Sequence, residues 1–439
     1  MSGSRRAMSF LALAVAIALA VSACSSGETK KSSNKSTGGQ SLAGQKMEVA
    51  AEWSGAEQKN FERVISAFEQ KTGAQVSFTS TGDNTATILG TRVKGGNPPD
   101  VALLPQPGLL SQFATAGDLT PIDTIAGDTV SANYAPIWKE LGTVNGKLYG
   151  VWFKAANKST FWYNTHAFQN AGVKAPETWP DLLQVAQTVK ASGVTPFAIG
   201  AGDGWPLTDW FENVYIRTAG AAMYDKLTKH QIPWTDPSVA TALKTMAEVF
   251  SHSDWILKGN QGSLQESFTD SVNDTFANPP KAGMTYEGDF VEGLLPSGAE
   301  PVKDAAFFPF PSIKGSPSAV IGGGDVAVLM KDSKAGEAFI KYLATPQAGE
   351  IWAKQGGFSS PNKNVPLSDY PDPLTRKSVQ ALTTSPLVRF DMSDQAPPAF
   401  GGTPGKGEWK DLQDFMANPS DIRGVQTSLE ADAKKAYGS

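Results

Sequence analysis

Asp203-Gly-Trp205, followed by Asp209-Trp210 and Glu212, gathers indoles and carboxylates within a span of ten residues. Carboxylates in pairs can do two kinds of work. They can hydrolyse a glycosidic bond when about 5–5.5 Å or 6.5–9.5 Å apart, or they can simply accept hydrogen bonds. With 43 acidic residues in the chain, some close pair is bound to occur, so the sequence leaves hydrolysis open. Other chemistries are excluded more firmly. The single cysteine, Cys24, rules out an intramolecular disulfide framework and a cysteine-rich zinc site. The three histidines, His166, His230 and His252, are scattered, and no metal site is expected. There is no H-E-x-x-H, no G-x-x-x-x-G-K-[ST] and no G-x-S-x-G. Gly200–Gly204 and Gly322–Asp325 are glycine-rich but do not fit G-x-G-x-x-G, and read as tight backbone beside a cleft. The missing motifs favour a protein that binds over one that catalyses, with no cofactor.

Such residues need a scaffold, and the hydrophobic pattern describes one. Met47–Trp53 reads as a short strand. From Ala56 to Lys71, Phe61, Val64, Ile65 and Phe68 fall at i, i+3, i+4 and i+7, one face of an amphipathic helix closed by Gly73. Gln75–Ser80 is a second strand, and Val101–Leu104 a third. This alternation predicts an α/β domain with a largely parallel sheet. A second α/β stretch runs from about Phe161 to Ile313, with helices over Trp179–Ser192 and Pro237–Ser251 capped by Thr178 and Asp236. Ser333–Ala344 is a further helix. In parallel sheets ligands sit at the carboxyl ends of strands, which singles out Trp53, Ser54, Gly82, Asp83 and Gln106. Trp53 could equally be a core residue at the sheet edge, and Asp83 a helix N-cap.

The chain's 439 residues suggest two to three domains. Forty per cent hydrophobic residues suffice for a large core, and a net charge of −5 without a basic stripe argues against nucleic acid as partner. Residues 1–23 read as an export signal: Arg5-Arg6 precede an apolar run, Phe10–Val21, too short to span a bilayer. Either of two bacterial export routes fits, the twin arginines hinting at one. Val21-Ser22-Ala23-Cys24 resembles a lipobox, whose cysteine carries lipid, as against a thiol merely buried after an anchor. Residues 24–45 are Ser, Gly, Lys and Thr with hardly an apolar residue, and read as a flexible tether holding the body outside the cell membrane.

Asn145-Gly-Lys-Leu-Tyr-Gly150, Phe161-Trp-Tyr-Asn164 and Ala171-Gly-Val-Lys-Ala-Pro-Glu-Thr-Trp179 resemble the solute-binding lipoproteins of carbohydrate ABC importers, the maltose-binding type. Phe68–Gly73, Pro99–Val101 and Gly357–Pro361 extend the likeness. Gly96–Gly108 and Val388–Pro397 point to its α-glucoside-binding branch. The resemblance covers Met47 to Tyr437. It implies the type II periplasmic-binding-protein fold, two α/β lobes joined by a multi-segment hinge with the ligand cleft between them. Lobe 1 would be residues 46–155 and 319–385, and lobe 2 residues 156–318 and 386–439.

It also implies a site in which aromatic rings cover the apolar faces of a sugar while polar side chains hold its hydroxyls. Candidates are Lys154, Trp205, Asp209, Trp210, Tyr286, Glu287, Gly288, Phe290, Gly323, Gly324, Asp325, Phe358, Arg389 and Asp391, beside Trp53, Ser54, Asp83 and Gln106. Each has a structural alternative. Trp205, Trp210 and Phe290 could be core anchors, Lys154 a snorkelling hinge residue, and Arg389–Asp391 an ion pair stapling the hinge. Trp162 reads as core. Expected partners are a sugar, the membrane permease and its associated ATPase, with the protein a lipid-anchored monomer on the extracytoplasmic face. Rival solutes are glucosylglycerol, glucosylglycerate or a maltodextrin. Rival functions are a lipid-anchored glycoside hydrolase and a surface sensor or adhesin.

Overall fold

A β-sheet of six strands and a second of four organise residues 41–438, the part of the chain that the computed structural model describes. The expected signal peptide, Cys24 and most of the expected tether lie outside the described residues. Leu42, inside the stretch read as tether, is buried against the first core, and its N–H donates to Thr72 O, so it belongs to the body.

In the first sheet Lys46–Ala51 pairs in parallel with Gln75–Ser80 on one side and Val101–Leu104 on the other. Val320–Leu329 then runs antiparallel to both Val101–Leu104 and Gly150–Asn157, and Val388–Phe390 joins its far edge. Every residue of Val101–Leu104 and of Gly150–Asn157 is buried, as expected of strands covered on both faces. The Gly55–Thr72 helix lays Phe61, Val64, Ile65 and Phe68 on this sheet and ends at Gly73, whose φ of 79° lets the chain turn back.

The second sheet orders Ala305–Pro309, Thr160–Asn164, Ala282–Glu287 and Thr195–Ala198. Trp179–Ala191 packs on it, started by a reciprocal cap between Thr178 and Asp181. Pro237–Phe250 is capped by Asp236, and Lys334–Leu343 by Ser333. One helix begins earlier than its sequence suggests. Residues 202–206 read as loop with Trp210 opening the helix, whereas the helix spans Trp205–Ala219 with Pro206 in its first turn, where proline costs no hydrogen bond. Asp83 is not a helix N-cap either: it lies in a single 3-10 turn, Gly82–Asn84, and Asn84 precedes the Thr85–Lys94 helix.

Each sheet carries its own core, one built around Phe61, Trp152 and Trp352, the other around Phe161, Trp210 and Tyr215. The molecule is therefore two-lobed. Gly150–Asn157 starts in the first core and leads through Lys158 and Ser159 into the second sheet. Val320–Leu329 spans both cores, and Val388–Phe390 lies beside it. Lys158 N–H donates to Ile321 O and Asp391 N–H to Gly322 O, so these three segments are laced together where they pass between lobes.

Candidate ligand cleft

Between the lobes lies a cleft of about 350 Å³. The first lobe contributes strand ends and the turns after them: Glu52, Trp53, Ser54, Asp83 and Gln106. The crossing strands contribute Lys154, Lys158, Gly324 and Asp325, and the second lobe Asp203, Trp205, Phe268, Phe290, Asp394 and Trp409. The strand-end residues arrive there because parallel strands all point their carboxyl ends the same way.

Lys154 and Asp325 face each other across adjacent strands, and the register shifts just after this pair. Gly324 beside them tolerates no side chain, since a Cβ would lie 2.2 Å from Lys154 O. Lys154 Nζ meets Glu57 Oε1 at 2.5 Å and lies 5.4–5.6 Å from the ring centres of Trp53, Phe290 and Trp352. Burial opposes its charge, but Glu57, Asp325 and Glu52 hold its pKa above the ordinary lysine value. Asp325 is pushed up to about 7 by burial. Trp53 resolves both of its readings: its ring packs edge-on to Phe61 and Trp352 at 4.8 Å while the residue borders the cleft.

Lys158 is the second cation lining the cleft. Its Nζ lies 2.5 Å from Asp391 Oδ2 and 3.3 Å from both Asp209 Oδ1 and Asp394 Oδ2, and 5.8 Å from the Trp205 ring centre. Burial pushes Asp394 up to about 8, with repulsion from Asp391 adding to it. For Asp391 burial acts upward too, but Lys158 and hydrogen bonds win and hold it below the usual carboxylate range. Asp209, Glu212 and Asp391 have oxygens within 4.8 Å of one another, close enough for a metal. The Lys158 ammonium already bonds two of them, and Glu212 accepts Met392 N–H at 2.6 Å and Ser393 N–H at 2.8 Å. The lysine thus supplies positive charge to two of the three carboxylates, and backbone N–H groups serve the third.

Of the residues expected to touch ligand, Trp53, Ser54, Asp83, Gln106, Lys154, Trp205, Phe290, Gly324 and Asp325 line the cleft. The others do not. Trp210 is fully buried among Phe161, Phe250 and Tyr286, and Phe358 is stacked on Trp352 at 5.1 Å. Tyr286 Oη donates to Lys158 O at 2.7 Å. Glu287 is buried and pushed up to about 8 by burial, Gly288 O accepts the Trp162 indole N–H, and Gly323 lies under the Lys158 side chain. Asp209 and Asp391 hold Lys158 from behind the wall. Arg389 does not pair with Asp391 but with Asp225, at 2.6 and 3.0 Å, because Asp391 is taken by Lys158. The sequence reading missed Glu52, Glu57, Lys158, Phe268, Asp394 and Trp409. Glu52 adjoins Trp53 at the same strand end and could have been found by the same rule.

The model of the bacterial extracellular solute-binding protein family matches residues 52–350. Over 91% of its length this chain is 34% identical to the alpha-glucosides-binding periplasmic protein AglE of Rhizobium meliloti, covering 89% of that protein. Over 85% it is 33% identical to the osmoprotective compounds-binding protein GgtB of Synechocystis, again covering 89%. Among solved structures, the bacterial solute receptor AcbH superposes with a TM-score of 0.80 at 24% identity, covering 89% of this chain and 99% of that one. The maltose-bound MalE3 of T. maritima gives 0.70 at 16%, with 89% and 99% covered.

Proposed function

The chain belongs to the family of bacterial extracellular solute-binding proteins and binds sugar for an ABC importer, and within that role we propose that its ligand is an α-glucoside of the trehalose, sucrose or maltose type. The observation that carries this reading is the identity to an alpha-glucosides-binding protein along nine-tenths of the chain. The likeness to an osmoprotectant-binding protein over 85% of the chain favours a second reading, a glucosylated osmolyte such as glucosylglycerol in the same cleft.

The cleft suits either. Trp205 and Phe290 offer apolar plates for the C–H faces of a pyranose, and Asp83, Asp203, Gln106 and Asp325 accept or donate hydrogen bonds to its hydroxyls. These groups come from both lobes, so a ligand touching all of them stabilises the closed arrangement over the open one. The closed form is then what the permease recognises before ATP-driven import. No covalent step is involved. Lipid on Cys24 would hold the body at the extracytoplasmic face, and no helix among the described residues is long and apolar enough to cross a membrane.

A thermal-shift panel with trehalose, sucrose, maltose, maltotriose and glucosylglycerol tests the proposal. A ligand at about 100 times its Kd stabilises the fold by about 2.7 kcal/mol. A raised melting temperature with one or two glucosides and no released glucose supports the reading. No shift with any of them overturns it, and released glucose would restore the hydrolase.

A further inference from the structure

The cleft carries negative charge that its own lysines do not answer. Glu52, Glu57, Asp83, Asp203, Asp325 and Asp394 line it against Lys154 and Lys158, and no arginine is among the lining residues. Burial pushes Glu52 well above its ordinary value, Asp325 up to about 7 and Asp394 up to about 8, so the charge left unanswered is that of Asp83 and Asp203. Both ammonium groups are engaged already, Lys154 by Glu57 and Lys158 by Asp391, each at 2.5 Å. Two of the acids stand on opposite lobes. Asp83 sits on the turn after the Gln75–Ser80 strand, and Asp203 just ahead of the Trp205–Ala219 helix. Among the described residues neither forms an ion pair. Asp203 accepts one backbone N–H, from Phe268 at 2.7 Å, the first residue of the Phe268–Thr275 helix, whose positive end it therefore meets. Among the described residues Asp83 makes no side-chain hydrogen bond, and it remains open to the water of the cleft.

We infer that the cleft selects its ligand by charge: Asp83 and Asp203, unpaired carboxylates on opposing lobes, make it a receptor for uncharged polyhydroxyl solutes and turn away glucosides bearing a carboxylate or phosphate. The inference rests on the sugar-binding reading above and narrows it. Hydroxyls donate to both carboxylates and draw the lobes together. An anionic group in the same space finds no free cation, and must either break the Lys154–Glu57 or Lys158–Asp391 pair or close among like charges with water expelled. The protonation of the site agrees with this. The walls of the cleft, with repulsion from Asp203, push Asp83 up to about 6, so the cleft already sheds part of its own charge near neutral pH.

The experiment compares glucosylglycerol with glucosylglycerate, which differ by one CH2OH against one carboxylate, by calorimetric titration at pH 7.5 and pH 5. The neutral compound is expected to bind at least 100-fold more tightly at pH 7.5, and the gap to shrink at pH 5 as Asp83 takes up a proton. In the Asp83→Asn/Asp203→Asn double variant the gap at pH 7.5 is expected to narrow at least 10-fold. Equal binding of the two compounds by the unaltered protein overturns charge selection and leaves the sugar reading standing. A gap that the double variant preserves overturns the assignment to these two residues. Binding of neither compound, together with no response to the disaccharide panel, overturns the sugar reading and this inference with it.

Discussion

Lys158 and Asp391, 233 residues apart, meet at 2.5 Å between the lobes, the lysine at the end of one crossing strand and the aspartate at the end of another. Asp391 also accepts Ser393 Oγ–H and Asp394 N–H, each at 2.8 Å. The ion pair therefore ties the outermost crossing segment to the first one, and its far side looks into the cleft.

Replacing Lys158 by methionine keeps the apolar stem but leaves Asp391, the carboxylate held in its charged form, buried without a counter-ion. Breaking one partner of such a pair costs about 3–5 kcal/mol. Thermal unfolding of Lys158→Met is expected to show a melting temperature lowered by several degrees. A loss below about 1 kcal/mol would mean that Asp391 simply binds a proton at no cost.

Stability should fall as pH rises. Asp394 and Glu287 are both pushed up to about 8 by burial, against about 4 in an unfolded chain. Between those values the folded state holds protons that the unfolded chain has released. Their contribution is full below about pH 4 and is lost as pH rises through 8. Asp391, held low, acts in the opposite sense, but only at pH values below that window. The melting temperature is expected to be higher at pH 5.5 than at pH 8.5, and Glu287→Gln to flatten the difference. A flat or rising profile contradicts the arrangement.

Two tryptophans five residues apart should respond differently to removal. Trp205 lies half-buried in the cleft against Phe268 at 5.0 Å, whereas Trp210 is sealed in the second core. Trp210→Ala is expected to cost about 3–5 kcal/mol of stability. Trp205→Ala should lower ligand affinity at least 10-fold, about 1.4 kcal/mol, with a much smaller change in melting temperature. Equal destabilisation by both would place Trp205 in the core.

Gly324 should not tolerate even alanine. The added Cβ would meet Lys154 O at 2.2 Å and Ala155 Cα at 3.1 Å, both backbone atoms of the neighbouring crossing strand. Overpacking of this kind costs about 1–3 kcal/mol. Spreading these strands moves Lys154 and Asp325 as well, so Gly324→Ala is expected to lose ligand affinity along with stability, measured by melting and by titration of one preparation.

The local parts of this fold were legible in the sequence. The Phe61–Phe68 spacing located a helix to within one residue at each end, and Gly73, Thr178, Asp236 and Ser333 marked helix ends, because caps and apolar periods are short-range properties. Strand-end residues such as Ser54 and Gln106 could be put beside a cleft for a topological reason. What the sequence hid was pairing at long range. Lys154 meets Glu57 across 97 residues and Arg389 meets Asp225 across 164, and nothing near either residue announces its partner. Trp210 and Phe358 look like Trp205 and Phe290 in type and setting. Only the packing of distant segments separates core rings from cleft rings.

The position of Val320–Leu329 in the first sheet has a consequence for how the chain comes to be folded. That strand lies between Val101–Leu104 and Val388–Phe390 and also holds Gly150–Asn157. Until residue 329 has emerged, Val101–Leu104 has an open edge and Gly150–Asn157 has nothing in its sheet to pair with. Contacts between segments more than 200 residues apart carry a large loop-closure cost and form slowly. A growing chain thus presents its first sheet unfinished while all of its second sheet is already complete in sequence, and the second core in turn waits for the side chains of Met392 to Ala433.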